Sequence, residues 1–337
     1  MKTEPTYTVA AVQAAPVYLD LQKSTEKACV LIREAAENGA RLIAFPEAFL
    51  PGYPWWIFHG DPFNYGMKYW IDFYKNSVEI PGNTIMMLSN AARDNDIYVS
   101  ISVTEKEGGS LYLSQLWFDN EGALIGKHRK IRPTAGERTI WAEGDGSMMP
   151  VFATRIGRLG GLQCWEHRMP TNLLVMAAQN EQVHVAAWPT GIGVDDHLFS
   201  AANNVGASTY YAATTGTFVL MASQIFTEEM KEKLGNIEQN LGQGHAGIIN
   251  PNGYVISESL PHDQEGLVFG KIDLEQIITS KYLLDPAGHY AKGSVSQLYF
   301  NQNSQKAVIE LGAQTFAKLT NRHLTEAVQA DDSTERM

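Results

Sequence analysis

The stretch TVAAVQA at Thr8–Ala14 opens the pattern that decides the fold. This run is short, apolar and followed by Pro16, so it predicts a buried strand. Apolar residues then recur at helical spacing over Ser24–Asn38, and a second apolar run covers Arg41–Phe45. A strand–helix–strand opening of this kind is typical of layered α/β proteins.

The same alternation continues along the chain. It predicts helices at Met67–Asn76, Thr84–Asp94, Thr171–Asn180, Asp196–Thr214 and Leu274–Lys281. It predicts strands at Ile97–Thr104, Leu111–Phe118, Ala123–His128, Val183–Ala187, Thr217–Met221 and Leu267–Ile272. The expected fold class is α/β, a four-layer α-β-β-α sandwich of two mixed sheets with outer helices.

Turn signals and linkers set the expected connections and boundaries. Glu107-Gly108-Gly109 indicates an antiparallel hairpin, and Pro251-Asn252-Gly253 indicates another between Gly247–Asn250 and Tyr254–Glu258. No linker rich in Pro, Gly or Ser divides the chain. We therefore expect one domain over residues 1–320 and a polar tail over 321–337.

Composition and charge limit the classes of partner. The chain has 337 residues and a formal net charge of −11, which argues against nucleic acid or an anionic membrane, because phosphate binding needs clustered Lys and Arg. Its two cysteines lie far apart, unlike a secreted disulfide framework. No signal peptide and no run of roughly 18 apolar residues is evident. We expect a soluble, cytoplasmic protein that acts on a small molecule.

One of the two cysteines lies among chemistry-bearing residues. Cys164 ends an apolar run and is followed by Trp165, Glu166 and His167. A thiol flanked by an acid and an imidazole at a strand end fits a nucleophile, and a buried structural thiol is the alternative that these residues leave open. Cys29, inside a predicted helix, is interpreted as a packing residue.

A second reactive side chain follows the strand Arg41–Phe45. Glu47 comes directly after Pro46, at the start of a segment that runs to Gly66 without a regular period, and loops of that length are often functional. Aromatic neighbours would raise its pKa toward use as a general base. A carboxylate on a surface loop is the alternative.

A third candidate lies in the basic run Lys127-His128-Arg129-Lys130. Such runs are usually solvated charges on an edge strand, and Lys127 and Arg129 fit that interpretation. Alternation along a strand places Lys130 on the face of His128 and opposite Arg129, so at most one face serves a cleft.

Three segments, FPEAFLPGYP at 45–54, HRKIRPT at 128–134 and GGLQCWEH at 160–167, together resemble the nitrilase superfamily, whose members use a Glu, a Lys and a Cys. The resemblance extends from about Tyr7 to Tyr290. The segments PGYPW at 51–55, Glu137-Arg138, GDGS at 144–147 and CWEH at 164–167 are similar to the nitrilase branch rather than to the amidase or carbamoylase branches.

The resemblance implies roles residue by residue. Glu47 matches the general base, Lys130 the cationic stabiliser and Cys164 the nucleophile. Glu137 matches a second carboxylate that holds the lysine and the substrate, and for His167 we favour a hydrogen-bonded supporting position. The implied reaction is hydrolysis of an organic nitrile to the carboxylic acid and ammonia through a thioimidate and a thioester, with no metal and no organic cofactor.

Aromatic residues near the motifs predict the substrate pocket. The candidate pocket residues are Tyr53, Trp55, Trp165, His167, Trp188, Thr190 and Ile192. An aromatic-lined site suits aryl or arylalkyl nitriles, and aliphatic nitriles are also considered. Trp56 fits the core or a subunit contact equally well.

The C-terminal part of the resemblance concerns assembly. Asp285–Tyr290 resembles the family's Gly-His-Tyr segment, but Ala291–Ser294 stands where an Arg-Pro-Asp usually follows. The resemblance implies at least a homodimer, with a spiral or a filament as the larger alternatives.

Three other functions remain open. A cyanide or nitrile hydratase would use the same Glu-Lys-Cys site but release the amide or formamide. An amidase is disfavoured by the Trp-Glu-His after Cys164. A non-catalytic scaffold that has kept this fold is the most distant alternative.

Overall fold

The computed structural model describes residues 4–192, 199–235 and 241–305. Contacts divide the chain into two units, Met1–Asn303 and Ser304–Met337. The first unit contains every helix and strand given below. The predicted tail at 321–337 lies outside the described residues.

Strands and helices alternate along the described residues. The strands are β1 (Thr6–Gln13), β2 (Ala40–Ala44), β3 (Val78–Glu79), β4 (Tyr98–Glu107), β5 (Ser110–Phe118), β6 (Leu124–Arg129), β7 (Phe152–Thr154), β8 (Gly157–Gln163), β9 (Val183–Trp188), β10 (Gly191–Ile192), β11 (Phe218–Ser223), β12 (Leu241–Gln243), β13 (Gly247–Ile249) and β14 (Gly266–Asp273). The α-helices are α1 (Leu21–Glu37), α2 (Met67–Lys75), α3 (Asn83–Asp94), α4 (Pro170–Ala178), α5 (Ala201–Thr215), α6 (Glu228–Lys233) and α7 (Glu275–Leu283).

The predicted strand–helix–strand opening is confirmed by β1, α1 and β2. Helix α1 begins earlier than predicted because the Asp20 side chain caps it, accepting a hydrogen bond from the Lys23 backbone N–H. The predicted hairpin at Glu107–Gly109 is also confirmed, since β4 and β5 pair antiparallel. Among the described residues, no helix combines the length and the apolar character that crossing a membrane requires.

The sheet consists of two runs of strands. One run has the order β14-β1-β2-β4-β5-β6, with β3 also paired to β4, and the other has the order β13-β11-β9-β8-β7. They meet through a single residue pair, Gln13 with Ser223. Both runs are mixed: β1, β2 and β4 pair parallel, as do β3 with β4 and β8, β9 and β11 with one another. The pairs β1–β14, β4–β5, β5–β6, β7–β8 and β11–β13 are antiparallel.

Side-chain alternation along the strands divides the core. Val9 and Ala11 of β1 belong to a buried cluster that also contains residues of β9 and β11, whereas Ala10 and Val12 pack with α1 and α3. A third buried cluster joins β11 and β9 to α4 and α5. The molecule is therefore a mixed α/β protein with helices packed on its strands.

Two predicted elements differ from the structure. Tyr254–Glu258 forms no strand; Val255 makes one isolated bridge to Ile249, and β13 pairs instead with β11. The helix predicted from Asp196 begins at Ala201 in the described residues, where the Ser200 side chain accepts from the Asn203 N–H, and residues 193–198 lie outside them.

Candidate active site

Glu47 lies just after β2 and is fully buried, so the surface-loop alternative is wrong. Its backbone is fixed on both sides: its N–H donates to the Trp188 carbonyl at 3.1 Å, and the Gln224 amide donates to its carbonyl. Carboxylate oxygen Oε1 accepts from Lys130, whereas Oε2 has no hydrogen-bond partner among the described residues. One carboxylate oxygen therefore remains available to a reacting group.

Lys130 follows directly after β6. Its backbone N–H continues the pairing of that strand by donating to the Leu113 carbonyl at 2.8 Å. Its ammonium lies 2.7 Å from Glu47 Oε1 and 2.7 Å from Glu137 Oε2. The side chain is 1% exposed, so both contacts lie away from solvent.

Glu137 is held in a short 3₁₀ turn, Ala135–Thr139. Its carboxylate accepts from the Thr134 backbone N–H at 2.6 Å in a capping box, and from the Tyr53 hydroxyl at 2.7 Å. Both carboxylate oxygens of Glu137 are thus held by donors other than the Lys130 ammonium. Glu137 therefore fixes the position of Lys130.

Cys164 is the first residue after β8 and opens the 3₁₀ turn Cys164–Arg168. Its φ of 50° lies in the left-handed region, which is unfavourable for a residue with a Cβ and is often found at functional sites. Its sulfur and one carboxylate oxygen each of Glu47 and Glu137 all lie within 4.8 Å of one another. The three predicted strand-end residues thus meet in one buried place.

Burial and neighbouring charges set the pKa values of this cluster. Burial raises the pKa of Glu47 to about 8, and Lys130 opposes the rise only in part because Glu137 adds a second negative charge. Burial alone would lower the pKa of Lys130, but Glu137 and Glu47 hold it well above its usual range. Burial also raises the pKa of Cys164, while Lys130 and the Trp165 N–H lower it. The resting site therefore holds a charged ammonium and a protonated thiol.

Glu47, Glu137 and Cys164 carry donor atoms close enough to share a metal ion. However, the Lys130 ammonium is within hydrogen-bond distance of both carboxylates. It already supplies the positive charge that the carboxylates need, so the cluster fits a lysine-centred site better than a metal site.

The predicted pocket residues occupy two regions. Tyr53 and Trp55 pack 4.5 Å apart, ring centre to ring centre, on the Glu137 side. Trp165 stacks on Phe199 with ring centres 4.6 Å apart. Trp165 also borders a cleft of about 590 Å³, whose other lining residues include Thr134, Ala135 and Arg168.

The other pocket candidates lie deeper. His167 and Trp188 are buried and stack on each other, and the Trp188 indole donates to the Ser208 hydroxyl at 3.0 Å. Thr190 is buried, and the side chain of Ile192 is not among the described parts. Contact of these residues with substrate stays a prediction.

Comparison with known proteins agrees with this geometry. Residues 8–282 match the carbon-nitrogen hydrolase family. The chain is 53% identical over 317 residues to a nitrilase of Bacillus sp. (strain OxB-1), covering 93% of each chain. It is 39% identical to an aliphatic nitrilase of Rhodococcus rhodochrous, covering 88% of this chain and 83% of that one. The chain belongs to the nitrilase branch of the carbon-nitrogen hydrolase family.

A solved structure shares the fold of this carbon-nitrogen hydrolase. The NitFhit protein of C. elegans superposes with a TM-score of 0.72 at 18% identity, over 91% of this chain and 70% of that chain. At that identity the likeness concerns the fold alone.

Two buried ionic contacts of this carbon-nitrogen hydrolase were not predicted from the sequence. Glu166, read only as a neighbour of Cys164, is buried and contacts His128. The prediction that Arg129 is a solvated charge on an edge strand is wrong: Arg129 is buried and donates hydrogen bonds to Glu105 at 3.0 and 2.6 Å. Position within a basic or polar run gave no signal for these partners, because each partner lies on another strand or turn.

Proposed function

We propose that this protein hydrolyses an organic nitrile to the carboxylic acid and ammonia. The observation that carries the proposal is the convergence of Cys164, Lys130 and two carboxylates in one buried cluster. The 53% identity to a Bacillus nitrilase supports the same reaction class.

The first half of the reaction forms the covalent intermediate. Glu47 takes the thiol proton of Cys164 through its free oxygen, and the sulfur adds to the nitrile carbon. The C≡N bond becomes C=N, and its nitrogen takes the proton from Glu47, which gives a thioimidate. Lys130 and a backbone N–H stabilise the negative charge that develops on nitrogen.

The second half consumes two water molecules. The first adds to the thioimidate carbon, the C–N bond breaks, and ammonia leaves to give a thioester. Glu47 then removes a proton from the second water, which attacks the thioester carbon and breaks the C–S bond. The products are the acid and the regenerated thiol.

The aromatic walls indicate the substrate class. Tyr53, which donates to Glu137, packs against Trp55, and Trp165 follows Cys164 in the chain; flat aromatic faces pack well against aryl or arylalkyl groups. The name of the Rhodococcus relative, aliphatic nitrilase, supports including aliphatic nitriles in any substrate panel.

We also propose the layer arrangement of the fold, the cellular location of the protein and its oligomeric state. Alternation of two core faces along β1 supports a four-layer α-β-β-α sandwich in a single domain over residues 1–320. We also propose a cytoplasmic homo-oligomer, at least a dimer. Gel filtration with light scattering tests the last point.

The test of function measures ammonia and acid from aliphatic, aromatic and arylacetonitriles, with the matching amides alongside. We expect acid from nitriles, no turnover of amides, and no product from Cys164→Ala. Amide as the final product would favour a hydratase, turnover of amides alone an amidase, and no turnover with any substrate a scaffold.

A further inference from the structure

Four buried polar side chains form a continuous hydrogen-bonded series behind Cys164. We call the series the His167 chain; its members, in order from the nucleophile, are His167, His184, Glu181 and Tyr211. Their exposures are 1% for the first and 0% for the others. They come from the turn after β8, from β9, from the segment before β9 and from α5.

The contacts of the His167 chain are all short. His167 Nδ1 lies 2.6 Å from the Cys164 carbonyl oxygen, and its Nε2 lies 2.9 Å from His184 Nε2. His184 Nδ1 lies 2.8 Å from Glu181 Oε1, and the Tyr211 hydroxyl donates to Glu181 Oε2. The series thus links the peptide of the nucleophile to a helix on the outside of the core.

Chemistry fixes the direction of the hydrogen bonds. A carbonyl oxygen only accepts, so His167 Nδ1 carries a hydrogen and donates to Cys164. Burial lowers the pKa of His167 to about 3, so its other nitrogen is an acceptor and receives the hydrogen of His184 Nε2. This direction holds whether the His184–Glu181 pair is neutral or is an imidazolium–carboxylate pair. The bond to the Cys164 carbonyl is therefore always made by a donor that is itself hydrogen-bonded from behind.

The peptide that receives this bond carries the nucleophile. The Cys164–Trp165 peptide presents its carbonyl to His167, and its N–H is one of the groups that lower the pKa of the Cys164 thiol against the effect of burial. A hydrogen bond to the carbonyl of an amide polarises that amide and strengthens its N–H as a donor. The left-handed backbone of Cys164 also needs an external contact to hold it.

The residues packed around the His167 chain leave space for its polar side chains. Gly160 on β8 lies beside Glu181, and a Cβ at Gly160 would come within 2.1 Å of Glu181 Oε1. His184 and Tyr211 stack with ring centres 3.9 Å apart. Burying these polar groups costs free energy that apolar side chains of similar shape would avoid, so core packing alone does not account for them.

We propose that the His167 chain positions the nucleophile, orienting and polarising the Cys164–Trp165 peptide so that its N–H serves the reacting sulfur. The members of the chain are positioning residues, since they reach the reaction only through that peptide. The inference rests on the proposed nucleophilic role of Cys164 and goes beyond it by assigning residues on β9 and α5 to that role.

The test compares His184→Phe, Glu181→Leu and Glu181→Gln with wild type. Gln at position 181 can still donate to His184 Nδ1 and accept from Tyr211, so Glu181→Gln should retain activity. The other two break the series and should lower kcat for the nitrile about 10-fold, with KM little changed, because a donor is weakened rather than removed. Met176→Leu, a buried residue outside the chain, is the packing control.

A second readout needs no nitrile turnover. The rate at which iodoacetamide alkylates Cys164, followed by mass spectrometry of its peptide, should fall about 10-fold in His184→Phe and Glu181→Leu, since the thiolate loses support from the N–H. A merely structural role predicts a looser site and faster alkylation, which would overturn the proposal. Loss of activity in Glu181→Gln equal to that in Glu181→Leu would also overturn it.

The two readouts separate the two proposals. If wild type turns over no nitrile, the proposed function fails, whereas the alkylation rates still test the His167 chain. If His184→Phe does not fold, the pair of substitutions at Glu181 carries the same comparison.

Discussion

The carboxylate of Glu166 lies 2.7 Å from Nε2 of His128 in the buried interior. The other ring nitrogen of His128 lies 2.6 Å from the Met148 carbonyl, which only accepts, so that nitrogen carries a hydrogen. With Nε2 donating to a carboxylate, His128 is an imidazolium and Glu166 its counter-ion. Burial alone would lower the pKa of His128, but Glu166 raises it above its usual value.

This ion pair joins the two strands that carry the reacting groups. The same carboxylate accepts from the Ile131 N–H at 2.8 Å, next to Lys130, and from the Gln163 N–H at 2.9 Å, next to Cys164. The distance between the Lys130 ammonium and the Cys164 thiol therefore depends on Glu166.

His128→Gln should lower the free energy of unfolding by about 3 kcal/mol, because it leaves a buried carboxylate without its counter-ion. The raised pKa of His128 gives stability that is present below its ordinary value of 6.5 and is lost as pH rises through the folded value. The pKa of Glu166, which burial raises but His128 and two backbone N–H groups lower overall, gives stability present above 4.5. Urea unfolding at several pH values should show the largest difference from wild type between 4.5 and 6.5; a difference that is constant with pH would contradict the ion pair.

The catalytic candidates could be predicted from sequence because each follows a recognisable strand. Lys130 and Cys164 stand directly after β6 and β8, and Glu47 stands three residues after the end of β2. Strand ends on one edge of a sheet meet in space, so local pattern and motif order sufficed.

The supporting residues could not be predicted because they depend on register and pairing order. Glu105 on β4 meets Arg129 on β6 across β5, and that needs the register of two antiparallel pairs. His184 reaches His167 only because β8 and β9 lie side by side. A one-residue slip would turn either side chain to the opposite face, and a single sequence does not specify the register.

Lys130→Met should abolish nitrile turnover and lower the free energy of unfolding by about 3–5 kcal/mol when it is measured above about pH 8, where Glu47 is ionised, because two buried carboxylates lose their shared cation. Urea denaturation measures the change. Lys231→Met, at an exposed pair with Glu228, is the matched control and should change stability by less than about 1 kcal/mol. Equal effects of the two substitutions would argue against a buried ion triad.

The pH dependence of kcat/KM should report Glu47. As a general base Glu47 must be ionised, and burial raises its pKa to about 8, so the rate should rise with pH through about 8 and level off above it. Lys130 should add no descending limb in this range, since its pKa is held well above its usual value. The substrate should be an uncharged nitrile. A profile that stays flat over about pH 6–9 would show that Glu47 is not the titrating base.

Tyr53→Phe tests whether Glu137 has to be held for Lys130 to work. The substitution removes the hydroxyl that donates to Glu137 Oε1 at 2.7 Å, leaving a buried carboxylate oxygen without that donor. We expect a loss of about 1–3 kcal/mol in the free energy of unfolding and a fall in kcat, because the carboxylate that positions the ammonium is less restrained. Tyr18→Phe is the matched control: Tyr18 is equally buried but donates to the Tyr53 carbonyl at 3.0 Å, away from the charges. It should lower stability to a similar extent and leave kcat near that of wild type; equal losses of kcat in both variants would mean that packing of the Tyr53 segment, rather than restraint of Glu137, governs the rate.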